Sequence, residues 1–424
     1  MNVLHLTPHM GGGVGRALLG VASNVNNGIE HSFICLEKPE KKQFLEAIRE
    51  LGCKVLVAPS RTKIIEQIEA SDIVQLEWWR HPATIECLSH LSSISMRLVV
   101  WCHVSGLYNE IIPEQLLKSS ARFLLTSACS LQSTQIQRLS SEEKERLAIV
   151  HSNGGLEAWP MSSACDEHEP LAVGYIGSLN FAKLHPNYVD FLASVAIDDF
   201  KISLIGDLTN QDVLQHQAIS LNKPKLLNFV GYVEDVPTAL SKINVLAYLQ
   251  NPTHYGTNEN ALLEAMAMGI VPVVLNNPAE CEIVEHGVTG LVVDSIEGFS
   301  EAIGWLHQHP QQRTKLGLQA AKAVKERHTK NTMKNLFSEH YHAVMQHPKH
   351  AVNFNKIFGE QPVDWFLSCQ EDKTVFASDG GINYPDNRYL HYGLKEETKG
   401  SAIHFHRYFS DDRKLSQWAR QLAS

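Results

Sequence analysis

The chain has 424 residues, 44% hydrophobic and 20% charged, with a formal net charge of −9. This length suits two domains that each bury a core. The acidic balance argues against nucleic-acid binding, which needs a basic surface, and leaves peripheral membrane contact only to a local patch.

Val3 to Thr7 reads as a short apolar strand, followed by PHMGGGVGRALLGVA. A strand, a glycine-rich turn and a helix let the backbone approach a ligand, through Gly13 and Gly15 here, although a plain βα turn has the same pattern. No Gly-Lys-Ser/Thr ends the run, so it is not a nucleoside-triphosphate loop. Strands are predicted at 31–36, 54–58, 72–76, 97–102 and 122–126, with helices at 41–51, 64–70, 83–91 and 113–118 between them. Such alternation implies a parallel sheet covered on both faces, with ligands beyond the carboxyl ends of its strands.

Glu77-Trp78-Trp79-Arg80-His81-Pro82 follows one of these strands. Paired tryptophans with Arg and His on a loop suit stacking on a sugar face, while at least one of the pair is expected to pack under the following helix. His103 ends the next strand, a position more often structural than catalytic. HSNGGLEAWP at 151–160 leads to a linker between about Gly155 and Glu169.

The second half opens with LAVGYIGSLNFAKLHP at 171–186. Further strands are predicted at 200–205, before Gly206-Asp207, then at 227–233 and 244–250. The run NPTHYGTNENALLEAMAMGIVPVVLN, 251–276, reads as a loop opening a helix, then a buried strand from Val271 to Leu275. Asn258 is the expected N-cap, and the free N–H groups around Gly256, Thr257 and Asn258 favour an anion such as phosphate. Glu264 lies on the polar shoulder of the helix, and Glu259 is about 140° around from it. A strand at 290–293 and helices at 295–308, 311–327 and 331–345 follow.

The last 74 residues hold 12 of the 33 aromatics, too many for a disordered tail. They read either as a packing appendage on the first domain or as a contributor to an acceptor pocket or oligomer contact. Eight scattered cysteines without a CxxC pair suggest neither a zinc site nor a disulfide framework, which fits reduced thiols in the cytoplasm. No apolar run approaches the ~20 residues that span a bilayer, and MNVLHLTPHMGGG lacks the pattern of a signal peptide.

LLEAMAMGIVPVV, Ala279-Glu280 and HGVTGLVV at 286–293 together resemble the donor-binding segment of retaining glycosyltransferases of family four. The resemblance spans roughly residues 1–345. It implies a GT-B fold, two doubly wound Rossmann-like α/β domains with the active site in the cleft between them. Residues 1–160 would form the acceptor side and 165–345 the donor side, with 350–424 as an extension outside the likeness.

The implied reaction moves a sugar from a nucleoside-diphosphate sugar to a hydroxyl of a glycan, lipid-linked or protein acceptor. It fits bacterial-type polysaccharide or glycoconjugate synthesis and requires neither cofactor nor metal. In that likeness Glu264 holds the donor ribose and Lys183 grips the diphosphate, with His185 as a further candidate. Gly13 and Gly15 face the diphosphate, and the turn at Tyr232 reads the base. His103 reaches the donor sugar or acceptor, and Arg16, Trp78 and His81 lie on the acceptor side.

Two positions depart from the family. Gly256 stands where a glutamate contacts the transferred sugar, with Glu259 as the nearest substitute. Ser178 stands where an arginine joins the lysine. These departures keep open a catalytically lapsed binding protein, and a GT-B nucleotide-sugar epimerase is a further alternative.

Overall fold

The structure is a computed structural model that describes residues 1–23, 28–109, 111–152 and 154–423. The chain divides into two compact units. The first comprises Met1–Gly154, Tyr255–Thr257 and Lys330–Ser424; the second comprises Gly155–His254 and Asn258–Thr329.

In the first unit, strands β1 (Asn2–Thr7), β2 (Glu30–Cys35), β3 (Lys54–Val57) and β4 (Ile73–Trp78) precede a two-residue strand, β5 (Ser95–Met96). Then come β6 (Leu98–Cys102), β7 (Arg122–Leu125) and β8 (Leu147–Ile149). Seven of these form a parallel sheet in the order β3-β2-β1-β4-β6-β7-β8. Central strands such as LVVWC at 98–102 are buried along their whole length because helices cover both faces, which is why they read as unbroken apolar runs.

Side chains alternate between the two faces. Val3, Ile73, Val99, Trp101 and Leu124 pack against the helix Lys330–Met345, where Phe337 meets Trp101 edge to face. That helix belongs to the first unit, which corrects its expected place in a 165–345 domain. Its Phe337, Tyr341 and Val344 find their apolar partner on this sheet.

Leu4, Leu6, Val74, Leu76, Val100 and Phe123 share the opposite core with the last part of the chain. Within that segment Phe366 packs on Phe376, Phe405 and Trp418, and Phe358 stacks on Trp78. A short strand β15 (His350–Ala351) pairs antiparallel with β5. The aromatic-rich segment is therefore part of the first unit's core.

The second unit holds β9 (Val173–Ile176), β10 (Ile202–Ile205), β11 (Leu227–Gly231), β12 (Val245–Tyr248), β13 (Val271–Leu275) and β14 (Leu291–Val293). They form a second parallel sheet in the order β11-β10-β9-β12-β13-β14 around one core. Where β9 and β10 end, Gly206 has φ +153°, and a Cβ there would lie 1.9 Å from the Gly177 carbonyl oxygen. Only glycine permits that approach.

The glycine-rich start has a different role from the one expected. The helix begins at Gly12, Gly13 is exposed in its first turn, and Gly15 is buried. A Cβ on Gly15 would sit 2.3 Å from the Met10 carbonyl oxygen and 2.6 Å from the Phe44 ring. Gly15 therefore serves helix packing, and its backbone is not presented to a ligand. In the expected linker motif at 151–160, Asn153 lies outside the described residues.

Candidate functional site

In the second unit the helix Asn260–Ala267 starts one residue later than expected, with Glu259 in place of Asn258 as its N-cap. Glu259 has non-helical φ −53°, ψ 88°, and its side chain makes no capping bond. Its carboxylate instead accepts from Lys183 Nζ at 2.8 Å and from the Tyr248 hydroxyl. On its other side His254 Nδ1 lies 3.8 Å away, and His254 Nε2 lies 3.1 and 3.2 Å from the two oxygens of Glu280.

A chain of alternating charge thus runs Lys183–Glu259–His254–Glu280. Its members differ in access to solvent. The Lys183 side chain is 21% exposed, against 2%, 3% and 0% for Glu259, His254 and Glu280. A buried charge persists only when paired. Here Glu259 accepts from Lys183 and the Tyr248 hydroxyl, with His254 beside it, and fixes the ammonium of a partly exposed side chain. Burial alone would raise the Glu259 pKa, but Lys183, His254 and the Tyr248 hydroxyl outweigh it and hold it below the usual carboxylate range.

Burial likewise opposes a charge on His254, yet Glu280 and Glu259 prevail over the more distant Lys183 and raise its pKa. A raised folded value contributes stability that is complete below the unfolded imidazole value of about 6.5 and is lost as pH rises through the folded value. The unfolding midpoint in denaturant should therefore fall as pH rises above about 6.5, and His254→Gln should flatten that slope. An unchanged slope in the variant would assign the titration elsewhere. The half-buried His9 and His31 and the buried His81 and His404 have lowered pKa values and act in the opposite sense, below about 6.5.

The other donor-side candidates are more scattered. Glu264 is buried in a helix enclosed from Leu262 to Ala267, not on a polar shoulder. Asn258 is buried, and its amide lies 3.5 Å from the Asn260 side-chain oxygen. Gly256 and Thr257 group with the first unit, where the Thr257 hydroxyl bonds that of Thr126 at 2.6 Å. With the helix starting at Asn260 after N-cap Glu259, Gly256, Thr257 and Asn258 all precede its cap. The Ser178 Oγ accepts from Asn180 and also hydrogen-bonds Asp207. Tyr232 is 55% exposed just beyond β11. His185 is buried against Phe191, with its Nδ1 accepting the Asn187 N–H.

In the first unit a second polar network runs along one face of the sheet, from His31 near the start of β2 to His103 just past β6. Glu77, fully buried in β4, lies 2.8 Å from His103 Nε2 and 3.3 Å from His5 Nδ1, and accepts from Gln75 at 2.9 Å. Tyr341 donates to Gln75, and His5 reaches His31 at 2.9 Å. Burial would raise the Glu77 pKa, but the bonds from His103 and His5 overcome it and lower the value. His103 is the outermost member of the Glu77 trio, with 7% of its side chain exposed.

Arg16 is half-buried on the helix after β1. Trp78 is fully buried under Phe358, which removes it from any acceptor surface because its ring fills the core. His81 is fully buried at the start of the next helix.

Sequence reasoning gave no role of their own to Tyr248, His254, Glu280, Glu77 and His5. For His5, Glu77 and Tyr248 the available signal was a polar residue in a strand with apolar neighbours.

Residues 163–323 match the family model described as Glycosyl transferases group 1. No curated protein matches the chain significantly. Among solved structures, HepE of Anabaena in complex with UDP aligns with a TM-score of 0.63 at 17% identity, over 80% of this chain and 99% of that one. A glycosyltransferase from Rickettsia africae gives 0.64 at 14% identity over 81% and 98%, and sucrose-phosphate synthase from Thermosynechococcus elongatus 0.60 at 14% over 82% and 100%. The two parallel-sheet units have the GT-B fold. No described helix is long and apolar enough to cross a membrane.

Proposed function

We propose that the chain is a retaining glycosyltransferase that moves a sugar from a nucleoside-diphosphate sugar to an acceptor hydroxyl. The observation that carries this reading is the partly exposed Lys183, whose ammonium is fixed by buried Glu259, within the stretch that matches the glycosyltransferase family model. HepE was solved with UDP and with UDP-glucose, which makes UDP the first nucleotide to test here.

As the glycosidic bond breaks, the sugar becomes oxocarbenium-like and negative charge grows on the leaving diphosphate. Lys183 stabilises that charge where it develops, so it acts more in the transition state than in the ground state. Ser178, which replaces an arginine in the resembled family, leaves this task to Lys183. The departing phosphate takes the acceptor proton, so no protein base enters the step, nor does a metal. Glu264 holds the donor ribose.

Glu259 is a positioning residue. Its carboxylate engages Lys183 and Tyr248 and is 2% exposed, a different role from the sugar contact expected of it.

The test incubates the chain with UDP-sugars and an acceptor panel and follows UDP release. Release that depends on acceptor supports transfer, whereas sugar isomerisation without acceptor would identify an epimerase. Absence of any binding, hydrolysis or transfer would leave the reading without support. Glu259→Gln should lower kcat on the order of tenfold to a hundredfold with little change in donor KM, because the ammonium loses its fixed position. A raised KM at unchanged kcat would instead make Glu259 a ground-state sugar contact.

A further inference from the structure

Behind the Lys183–Glu259 pair stand two groups that the pair itself does not require, His254 and Glu280. They come from separate elements of the second unit: His254 from the loop after β12, Glu280 from the helix Pro278–Cys281 after β13. Hydrogen bonds stitch that loop to the stretch carrying Lys183. The Asn251 N–H donates to the Lys183 carbonyl at 2.6 Å, and its side-chain amide to the Phe181 carbonyl at 2.7 Å. The His254 N–H in turn donates to the Asn251 carbonyl at 3.0 Å. Lys183 and His254 are thus held in fixed relation on either side of Glu259.

The His254 ring lies between two carboxylates, one at each nitrogen. An ionised carboxylate only accepts, so Nε2, 3.2 Å from Glu280 Oε2, carries a proton. Glu280 Oε1 lies 3.1 Å from the same nitrogen and has no hydrogen-bond partner among the described residues, so this carboxylate depends on His254 for its charge. In a neutral ring Nδ1 would turn a lone pair towards Glu259 Oε1, 3.8 Å away, and the two would repel. A second proton, on Nδ1, turns repulsion into attraction. Burial opposes that proton, but the two glutamates prevail over it and over Lys183 and raise the His254 pKa. Tyr248, whose hydroxyl donates to Glu259, stays uncharged because burial raises its pKa well above the ordinary value.

The row Lys183, Glu259, His254, Glu280 is therefore neutral while His254 keeps its second proton, and carries one negative charge once that proton is lost. Glu259, His254 and Glu280 are each 3% exposed or less, so water screens the change poorly. The partly exposed end is Lys183, where the proposed function puts the donor diphosphate.

We propose that His254 and Glu280 are positioning residues for the donor: the His254 proton keeps the row neutral behind Lys183, and its loss sets an uncompensated negative charge against the diphosphate. Donor binding is then strongest below the His254 titration and weakens as pH rises through it. This rests on the glycosyltransferase reading, which supplies the diphosphate at Lys183.

The test is calorimetry of UDP-glucose with the full chain from about pH 6 to about pH 8.5, upward from just below the ordinary imidazole value. The diphosphate of UDP-glucose loses no proton in that range, so a change in affinity belongs to the protein. Affinity should fall on the order of fivefold to tenfold with rising pH, the effect of one unit charge across a partly buried gap. His254→Gln keeps a donor for Glu280 but never carries the charge, so it should bind at the weak level at every pH. Adding Glu280→Gln to it removes the surplus charge and should restore the strong level without pH dependence. A purely structural role would leave the double variant no better than the single one. If His254→Gln fails to fold, Glu280→Gln alone decides. At about pH 8.5 its row is neutral where the parent row is negative, so it should bind UDP-glucose more tightly than the parent.

Parent affinity that ignores pH overturns the inference, and so does a double variant no tighter than His254→Gln. If none of UDP-glucose, UDP-galactose and UDP-N-acetylglucosamine binds at any pH, the function reading falls, and this inference with it. A binder indifferent to pH removes this inference alone.

Discussion

Lys183→Ala should lower turnover by on the order of a hundredfold or more, the usual cost of losing a group that stabilises transition-state charge. The same change should destabilise the second unit. It strips the cation from a carboxylate that is 2% exposed, and breaking a buried pair costs up to about 3–5 kcal/mol. The lower part of that range applies here, because His254 and Tyr248 stay beside Glu259. A second substitution tells the two losses apart. Lys183→Ala combined with Glu259→Gln removes the orphaned charge, so stability should recover while turnover does not. Steady-state kinetics at saturating donor and denaturant unfolding supply the two readouts. A single variant with near-normal turnover would return Lys183 to a purely structural pair.

Glu264→Ala is the second large effect, and it should appear in binding. If this buried carboxylate holds the donor ribose, its loss leaves ribose hydroxyls without an acceptor, at roughly 1–3 kcal/mol, or about a five- to 150-fold weaker nucleotide. Calorimetry of UDP with the variant measures this directly, beside an unfolding curve to show that the helix Asn260–Ala267 survives. Glu264→Gln keeps one acceptor oxygen and should fall between the two. An unchanged affinity in the folded alanine variant ends the ribose assignment.

These residues were legible in the sequence to different degrees. Lys183 and Glu264 stood out only through their place in a familiar segment; taken alone, each is a charged residue near a helix. Glu259 was noticed but its protein partners were not, because helix spacing compares it with Glu264 while its carboxylate binds a lysine 76 positions earlier. Trp78 and Trp79 look alike as neighbours on a loop, but Trp78 is the last residue of β4 and points into the core, where Phe358 stacks on it. Gly15 belonged to a turn suited to ligand approach, yet the close Met10 carbonyl at the start of its own helix and the Phe44 ring packed against it explain it better.

The sequence by itself determined the layered α/β architecture and the near-complete succession of strands and helices. Strands buried on both faces must be apolar throughout, and the helices between them repeat at their own period, so both signals are local. Only the tertiary structure decided which polar groups meet. His5 comes to Glu77 across 72 residues and His254 to Glu280 across 26, while His404 closes over His81 from the far end of the chain. A buried charge or imidazole must find its partner inside the fold, because water cannot reach it. That partner depends on which strands lie side by side and in what register, which no local pattern of residues records.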